Sequence, residues 1–206
     1  QNGSGGSSVI YCKYENAYFK DSSCTDMISA NNPISVPSRT GYTFKGYYTG
    51  TSGTGSQVID SMGRLGSGAA HWASNKTFYA FWVANNYSVE YYANKPSGAS
   101  SSVTGSMNTQ SFTYDTSKSL TTNAYILPGY TFSKWNTKAD GTGTSYTNGQ
   151  IVKNLTSTSG GTVNLYAKWT ANTYKVTFNK NNATEFEGDE SKTVTFDKAY
   201  GNLPSV

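Results

Sequence analysis

Histidine and cysteine are almost missing from this 206-residue chain, which has one histidine, His71, and two cysteines, Cys12 and Cys24. So few ligands exclude a zinc site of the usual Cys/His spacing. A Ser–His–Asp triad would have to run through His71, and no nucleophile motif stands near it. Charge is scarce as well. Only 14% of residues are charged, and the net charge of +4 is scattered instead of gathered in a Lys/Arg stripe. That argues against a nucleic-acid partner. No apolar run reaches the roughly 18 to 20 residues that a membrane-crossing helix needs, so no membrane insertion is expected. No signal-peptide pattern opens the chain, as expected of a mature product or an excised segment.

What the chain does hold is aromatic and turn-forming. It has 17 Tyr, 9 Phe, 4 Trp and 21 Gly. With many Thr, Val, Asn and Ser between them, these residues favour strands joined by turns, and the aromatic surface argues against disorder. They are also arranged periodically. Gly41-Tyr42-Thr43-Phe44 returns as Gly129-Tyr130-Thr131-Phe132, and Phe78-Tyr79-Ala80-Phe81-Trp82 returns as Leu165-Tyr166-Ala167-Lys168-Trp169. Ala84-Asn85-Asn86-Tyr87-Ser88-Val89 is echoed by Ala171-Asn172-Thr173-Tyr174-Lys175-Val176. All three motifs are displaced by 87 or 88 residues, the signature of a tandem array.

The repeat divides the chain into a flexible Gly/Ser-rich lead at 1–8, module 1 at 9–86, module 2 at 87–173, and the first half of module 3 at 174–206. The third module is either truncated or completed by another chain, which would allow self-association through it. In module 1 the first strand opens near Val9 and Thr25 to Ser29 supplies the return strand. In module 2 Phe112 and Tyr114, closed by Asp115, form the return strand, matched in module 3 by Val194, Phe196 and Asp197. Alternation puts Tyr42 and Phe44 on one face of their strand, and Phe78, Ala80 and Trp82 on one face of the closing strand. Links of four residues, from Trp82 to Tyr87 and again over Thr170 to Thr173, predict a semi-rigid rod. Cys12 and Cys24 are either two free thiols or one disulfide. A surface-like composition favours the bridge, which would join the first strand to the segment returning beside it.

At these residues the chain resembles the Listeria–Bacteroides repeat, also called the InlB B-repeat, of bacterial surface proteins. That family pattern opens with Tyr-x-Val-x-Phe, continues with Gly-Tyr-Thr-Phe-x-Gly-Trp-Tyr and closes with Leu-Tyr-Ala-x-Trp. It is met by Tyr174 to Phe178 and closely by Tyr87 to Tyr91, then by Gly41 to Tyr48 with Tyr47 in place of Trp. Gly129 to Trp135 meets it with Lys134 in place of Gly, and Leu165 to Trp169 and Phe78 to Trp82 meet the close. Module 1 is the less typical, with its Cys pair and an insertion around Gly63 to Trp72. The resemblance implies a mainly β fold (α+β at most) of tandem, small, β-grasp-like modules. It also implies an extracellular place on the bacterial cell surface, a stalk or adhesive role, and no catalysis or cofactor.

The remaining chemistry is thin. Asp140-Gly141-Thr142-Gly143 offers one carboxylate, too few for a calcium loop. Glu185, Glu187, Asp189 and Glu190 read as a solvated hairpin tip, and Leu203-Pro204-Ser205-Val206 lacks the rest of a sortase signal. Binding would fall to aromatics on the faces opposite the core, which are either exposed or packed against neighbouring modules and loops: Tyr47, Trp72, Tyr79, Phe81, Trp135 and Tyr166. Beside Asn and Thr such rings suit a host or neighbouring-cell surface protein, or a glycan. The alternatives to a stalk or adhesin are therefore a carbohydrate-binding module pair and a self-assembling surface fibre subunit.

Overall fold

The computed structural model describes residues 3–13, 17–69, 75–182 and 188–202, with the backbone alone at 12 and 13. The chain divides into two compact units. One comprises residues 1–87, 112–116 and 153–161; the other comprises residues 88–111, 117–152 and 162–206. The first unit thus takes in two short pieces of the second repeat.

In the first unit, β1 (Tyr11–Lys13) and β2 (Ala17–Phe19) form a hairpin. Strands β3 (Tyr42–Tyr48), β4 (Gln57–Ile59) and β5 (Tyr79–Ala84) form an antiparallel sheet in the order β4-β3-β5. A core of Tyr18, Ile28, Ile34, Val58 and Ile59 lies among them, with Tyr47, Leu65 and Phe78 packed against it. Three expectations are corrected. The chain returns already at β2, so Thr25 to Ser29 forms no strand of its own and lies beside β2 through isolated pairing: the Phe19–Met27 bridge, the Lys20 N–H donating to the Asp26 carbonyl (2.9 Å) and the Ile28 N–H to the Tyr18 carbonyl (2.7 Å), with Ser29 bridged to Asn32. The segment expected as a flexible lead is paired, Ser4 and Ser38 exchanging backbone bonds of 2.8 Å each way. The Cys12–Cys24 bridge is not formed, since Cys24 is a free thiol. Register explains this. Cys12 lies opposite Tyr18, whereas Cys24 sits beyond β2 in a turn closed by its own N–H on the Asp21 carbonyl at 3.2 Å.

The remaining strands are β6 (Asn86–Tyr92), β7 (Gln110–Thr113), β8 (Lys118–Ser119), β9 (Tyr130–Asn136), β10 (Ser145–Tyr146), β11 (Ile151–Val152), β12 (Thr162–Ala171), β13 (Thr173–Thr177) and β14 (Ser191–Thr195), all in the second unit except the start of β6 up to Tyr87 and the end of β7 from Phe112, which belong to the first. Five of them make one sheet in the order β10-β9-β12-β6-β7. Its first and last strands in the chain, β6 and β12, lie side by side and parallel at the centre, with β9 antiparallel to β12 on one side and β7 next to β6 on the other, the strand order of a β-grasp sheet. Strands β8 and β11 form a small ladder, and β13 and β14 a hairpin. The inner face holds Val89, Tyr91, Leu165 and Ala167, all buried, together with Leu120, Leu127 and Val152 from the connections. Fold class is therefore as expected, mainly β.

One irregularity recurs. Between β9 and β12 the register passes from Trp169 opposite Phe132 to Lys168 opposite Lys134, leaving Ser133 as an extra residue. Between β3 and β5 it passes from Phe44 opposite Trp82 to Gly46 opposite Phe81, leaving Lys45 extra. An extra residue in one strand turns every later side chain to the other face. Tyr47 and Trp135 are therefore swung back toward the side of Phe44 and Phe132. Gly46 has φ +120°, and a Cβ there would collide with the carbonyl oxygen of Ile59, so the bulge of the first unit needs its glycine.

Candidate functional site

The six candidate aromatics separate into three groups. Trp135, expected on the exposed face, is 0% exposed; it packs on Tyr91 and Phe132, each with ring centroids at 4.9 Å. Tyr47 is half-buried against the core and meets Phe44 edge-on at 5.2 Å, and burial raises its phenol pKa. The bulge described above is the reason for both. Tyr79, Phe81 and Tyr166 are half-buried on strands whose alternate residues face the core. Phe81 meets Tyr48 edge-on at 5.7 Å, and Tyr166 stacks on Tyr92 at 5.0 Å. Trp72 and His71 lie outside the described residues, as do Glu185, Glu187 and the stretch 203–206. Among the described residues no group of three or more His, Cys, Asp or Glu comes together to hold a metal ion.

A more complete constellation sits where one repeat gives way to the next, and each unit holds one copy. Strand β5 ends at Ala84 and β6 begins at Asn86, so a single residue, Asn85, links them; Asn172 likewise links β12 to β13. These links are shorter than the four residues expected. In the first unit the Asn85 N–H donates to the Gly41 carbonyl (2.8 Å), the Tyr114 N–H donates to the Asn85 carbonyl (2.8 Å), and the Thr43 hydroxyl donates to Asn85 Oδ1 (2.6 Å). In the second unit Asn172 N–H to Gly129 (2.8 Å), Phe196 N–H to Asn172 (2.9 Å), and Thr131 hydroxyl to Asn172 Oδ1 (2.6 Å) repeat the set. An aromatic ring then covers each glycine: Tyr114 lies edge-on to Tyr42 at 5.9 Å, and Phe196 edge-on to Tyr130 at 5.8 Å.

A carboxylate closes each copy. Tyr42 donates its hydroxyl to Asp115 at 2.8 Å, and Tyr130 donates to Asp197 at 3.1 Å. Both aspartates have positive φ, +62° and +58°, a conformation that Asp and Asn tolerate better than most side chains. The surroundings differ. Asp115 also accepts from Asn154 Nδ2 at 2.9 Å and pairs with Lys153 at 3.3 Å, whereas Asp197 accepts from the Ser100 N–H (2.9 Å) and hydroxyl (2.6 Å). Donors on the ionised form depress a carboxyl pKa. The Asn154 amide, then the Tyr42 hydroxyl, hold Asp115 down to about 2, and the Ser100 hydroxyl lowers Asp197.

The joint therefore has a predictable acid response. Asp115 is ionised in the folded joint down to about pH 2, while an unfolded aspartate protonates near pH 3.9. Its contribution is fully present above about pH 4 and is lost as the pH falls toward about 2. Ring signals of Tyr42 and Tyr114 followed by NMR should shift over that window and not above it, and Asp115→Asn should abolish the shift. A wild-type shift centred above pH 5 would contradict the assignment.

Several joint residues carried a signal in the sequence: Asn85 and Asn172 fall in one repeated motif, and Asp115 and Asp197 match one another. None of them has a role in a core, so their role becomes evident only from the bonds they make. The loop-pinning role of Asn136 left no trace in the sequence. It is wholly buried, donates to the Gly141 and Gly143 carbonyls (3.1 and 2.9 Å), and accepts from the Lys138 N–H (2.8 Å).

Two relatives come from Evansella cellulosilytica. The chain is 30% identical over 156 residues to a "Putative Gly-rich membrane protein", an alignment covering 75% of the chain and 17% of that protein. It is 30% identical over 105 residues to a "Putative membrane protein", covering 50% and 14%. The chain thus spans less than a fifth of either relative. No solved structure matches it. The Listeria-Bacteroides repeat domain matches residues 8–81 and again 87–168, taking in the bulged strand and part of the closing strand of each repeat, and the chain belongs to that family.

Proposed function

We propose that this chain is a non-catalytic repeat segment of a bacterial cell-envelope protein, working as a stalk or spacer on the extracellular side. The observation that carries the reading is the joint made twice with the same residue roles: a turn glycine and the tyrosine that opens the strand after it, asparagine as link, an aromatic and an aspartate from the following repeat. A one-residue link tied by backbone bonds on both sides leaves each joint little torsional freedom, and joints of that kind suit a spacer better than a hinge. Family membership and relatives described as membrane proteins support the envelope location. The relatives' full lengths leave the role of the whole protein to this same proposal.

Small-angle X-ray scattering tests the reading directly. The expected result is an elongated particle whose distance distribution has a long tail and does not change between low and high protein concentration. A compact, near-spherical profile would overturn the spacer.

A further inference from the structure

The parallel pair β6–β12 carries a ladder of side chains on the face away from the core. Residues Tyr87, Val89 and Tyr91 of β6 and Leu165 and Ala167 of β12 are buried. Alternation turns Ser88, Glu90 and Tyr92 outward from β6, and Thr162, Asn164 and Tyr166 outward from β12. Register pairs them across the strands: Ser88 with Thr162, Glu90 with Asn164, Tyr92 with Tyr166. The Ser88 and Thr162 hydroxyls are 3.0 Å apart. The Tyr92 and Tyr166 rings stack at 5.0 Å with 22° between their planes, and the Tyr92 hydroxyl donates to Glu90 Oε2 at 2.7 Å. Two residues per step place the hydroxyl pair about 13 Å from the tyrosine pair, the length of a few sugar rings.

The chemistry of the ladder selects its partner. An apolar protein face would leave the hydroxyls, amide and carboxylate without bonds, at a cost of about 1–3 kcal/mol for each group stranded. A polyanion would meet the Glu90 carboxylate in the middle of the ladder, and the lysines on this face, Lys168 and its partner Lys134, stand beyond its tyrosine end, with Lys168 Nζ already donating to the Asp140 carbonyl (3.2 Å). A neutral polysaccharide satisfies all of them. Its hydroxyls find Glu90, Asn164 and the Ser88–Thr162 pair, and its C–H faces find the tyrosine rings. The rings are already held in place by their stacking and by Glu90, yet Tyr92 remains 40% exposed, so little side-chain freedom would be lost on binding. We infer that the outer face of β6 and β12 is a binding site for an extended neutral polysaccharide. Among the described residues the first unit holds no counterpart. Tyr79 occupies the position of Tyr166, but β5 is an edge strand paired only with β3.

Isothermal titration of the whole chain with linear hexasaccharides of glucose and of N-acetylglucosamine, and with polygalacturonate as the acidic comparison, tests the site. At least one neutral hexasaccharide should bind, and polygalacturonate should not. Tyr92→Ala and Tyr166→Ala should each weaken binding about tenfold, the size of one lost stacking contact. Tyr92→Phe should retain most of the affinity, and Tyr79→Ala should leave it unchanged. Absence of binding to either neutral ligand, preference for polygalacturonate, or indifference to both alanine changes would overturn the inference. The spacer reading stands apart from it: an elongated scattering profile without glycan binding removes only this site.

Discussion

Trp135→Ala should cost the second unit about 3–5 kcal/mol of stability, the range for truncating a large aromatic in a core that cannot collapse around the gap. The side chain is 0% exposed and is held by Tyr91, Phe132 and Tyr125, the last with ring centroids at 6.5 Å. Three rings fixed in separate strands and loops have no common direction in which to relax, so most of the vacated space would persist as a cavity. The indole N–H meets no acceptor among the described residues. Trp135→Phe should therefore be much milder than Trp135→Ala, because it removes an unpaired buried donor along with part of the ring. Tyr47 stands at the same point of the first repeat but is only half-buried, so Tyr47→Ala should cost about half as much. Urea unfolding monitored by tyrosine and tryptophan fluorescence and by circular dichroism measures all three. A loss for Trp135→Ala no larger than that for Tyr47→Ala would mean that Trp135 is not the centre of its core.

The placement of Trp135 shows where sequence reasoning reached its limit. The period-two pattern of Gly129 to Trp135 is real, and Phe132 is on the core side as alternation requires. What the pattern could not show is the extra residue Ser133, which shifts the register by one and brings Trp135 inward. Alternation is a local property, whereas a bulge is defined only against the partner strand, and its position depends on how β9 and β12 close over the core. In the first repeat a clue is present in Gly46, whose φ of +120° suits few other residues. The second repeat has Lys134 at that point and gives no such clue.

The repeat itself, the closing strands and the mainly β class were legible because each rests on residues repeated at one offset. The parallel pairing of β6 with β12 was not, because nothing in either strand's own composition distinguishes a parallel from an antiparallel neighbour. The joint lay between these extremes. Its residues are visible as a repeated Asn, a repeated aromatic-Asp pair and a repeated Gly-Tyr-Thr, separated by 24 to 74 residues in the chain. Only the fold shows that the three groups meet: the short link Asn85 donates to Gly41 and accepts from Tyr114, and Asn172 donates to Gly129 and accepts from Phe196.

Gly129→Ala should open the second joint while sparing the sheet beneath it. Gly129 has φ +81°, so an alanine there carries the left-handed penalty of about 1–2 kcal/mol. Its Cβ would also fall inside the ring of Phe196. Gly98 provides the control, because it has the same φ of +81° with nothing within 4 Å of an added Cβ. Gly98→Ala reports the backbone strain alone, and the difference between the two variants reports the contact with Phe196, about 1–3 kcal/mol if the ring cannot move freely. Hydrogen exchange localises the effect. In Gly129→Ala the amides of Asn172 and Phe196, which donate to Gly129 and Asn172 at 2.8 and 2.9 Å, should exchange much faster. Those of Val89 and Leu165, in the central strands, should keep their protection, because local opening of a joint leaves the core ladder closed. Gly41→Ala should act in the same way on Asn85 and Tyr114 in the first unit, where the added Cβ would meet the Tyr114 ring. If Gly129→Ala and Gly98→Ala lowered stability equally and left Phe196 protected, the aromatic would not be seated on the glycine, and the joint would not be held by that contact.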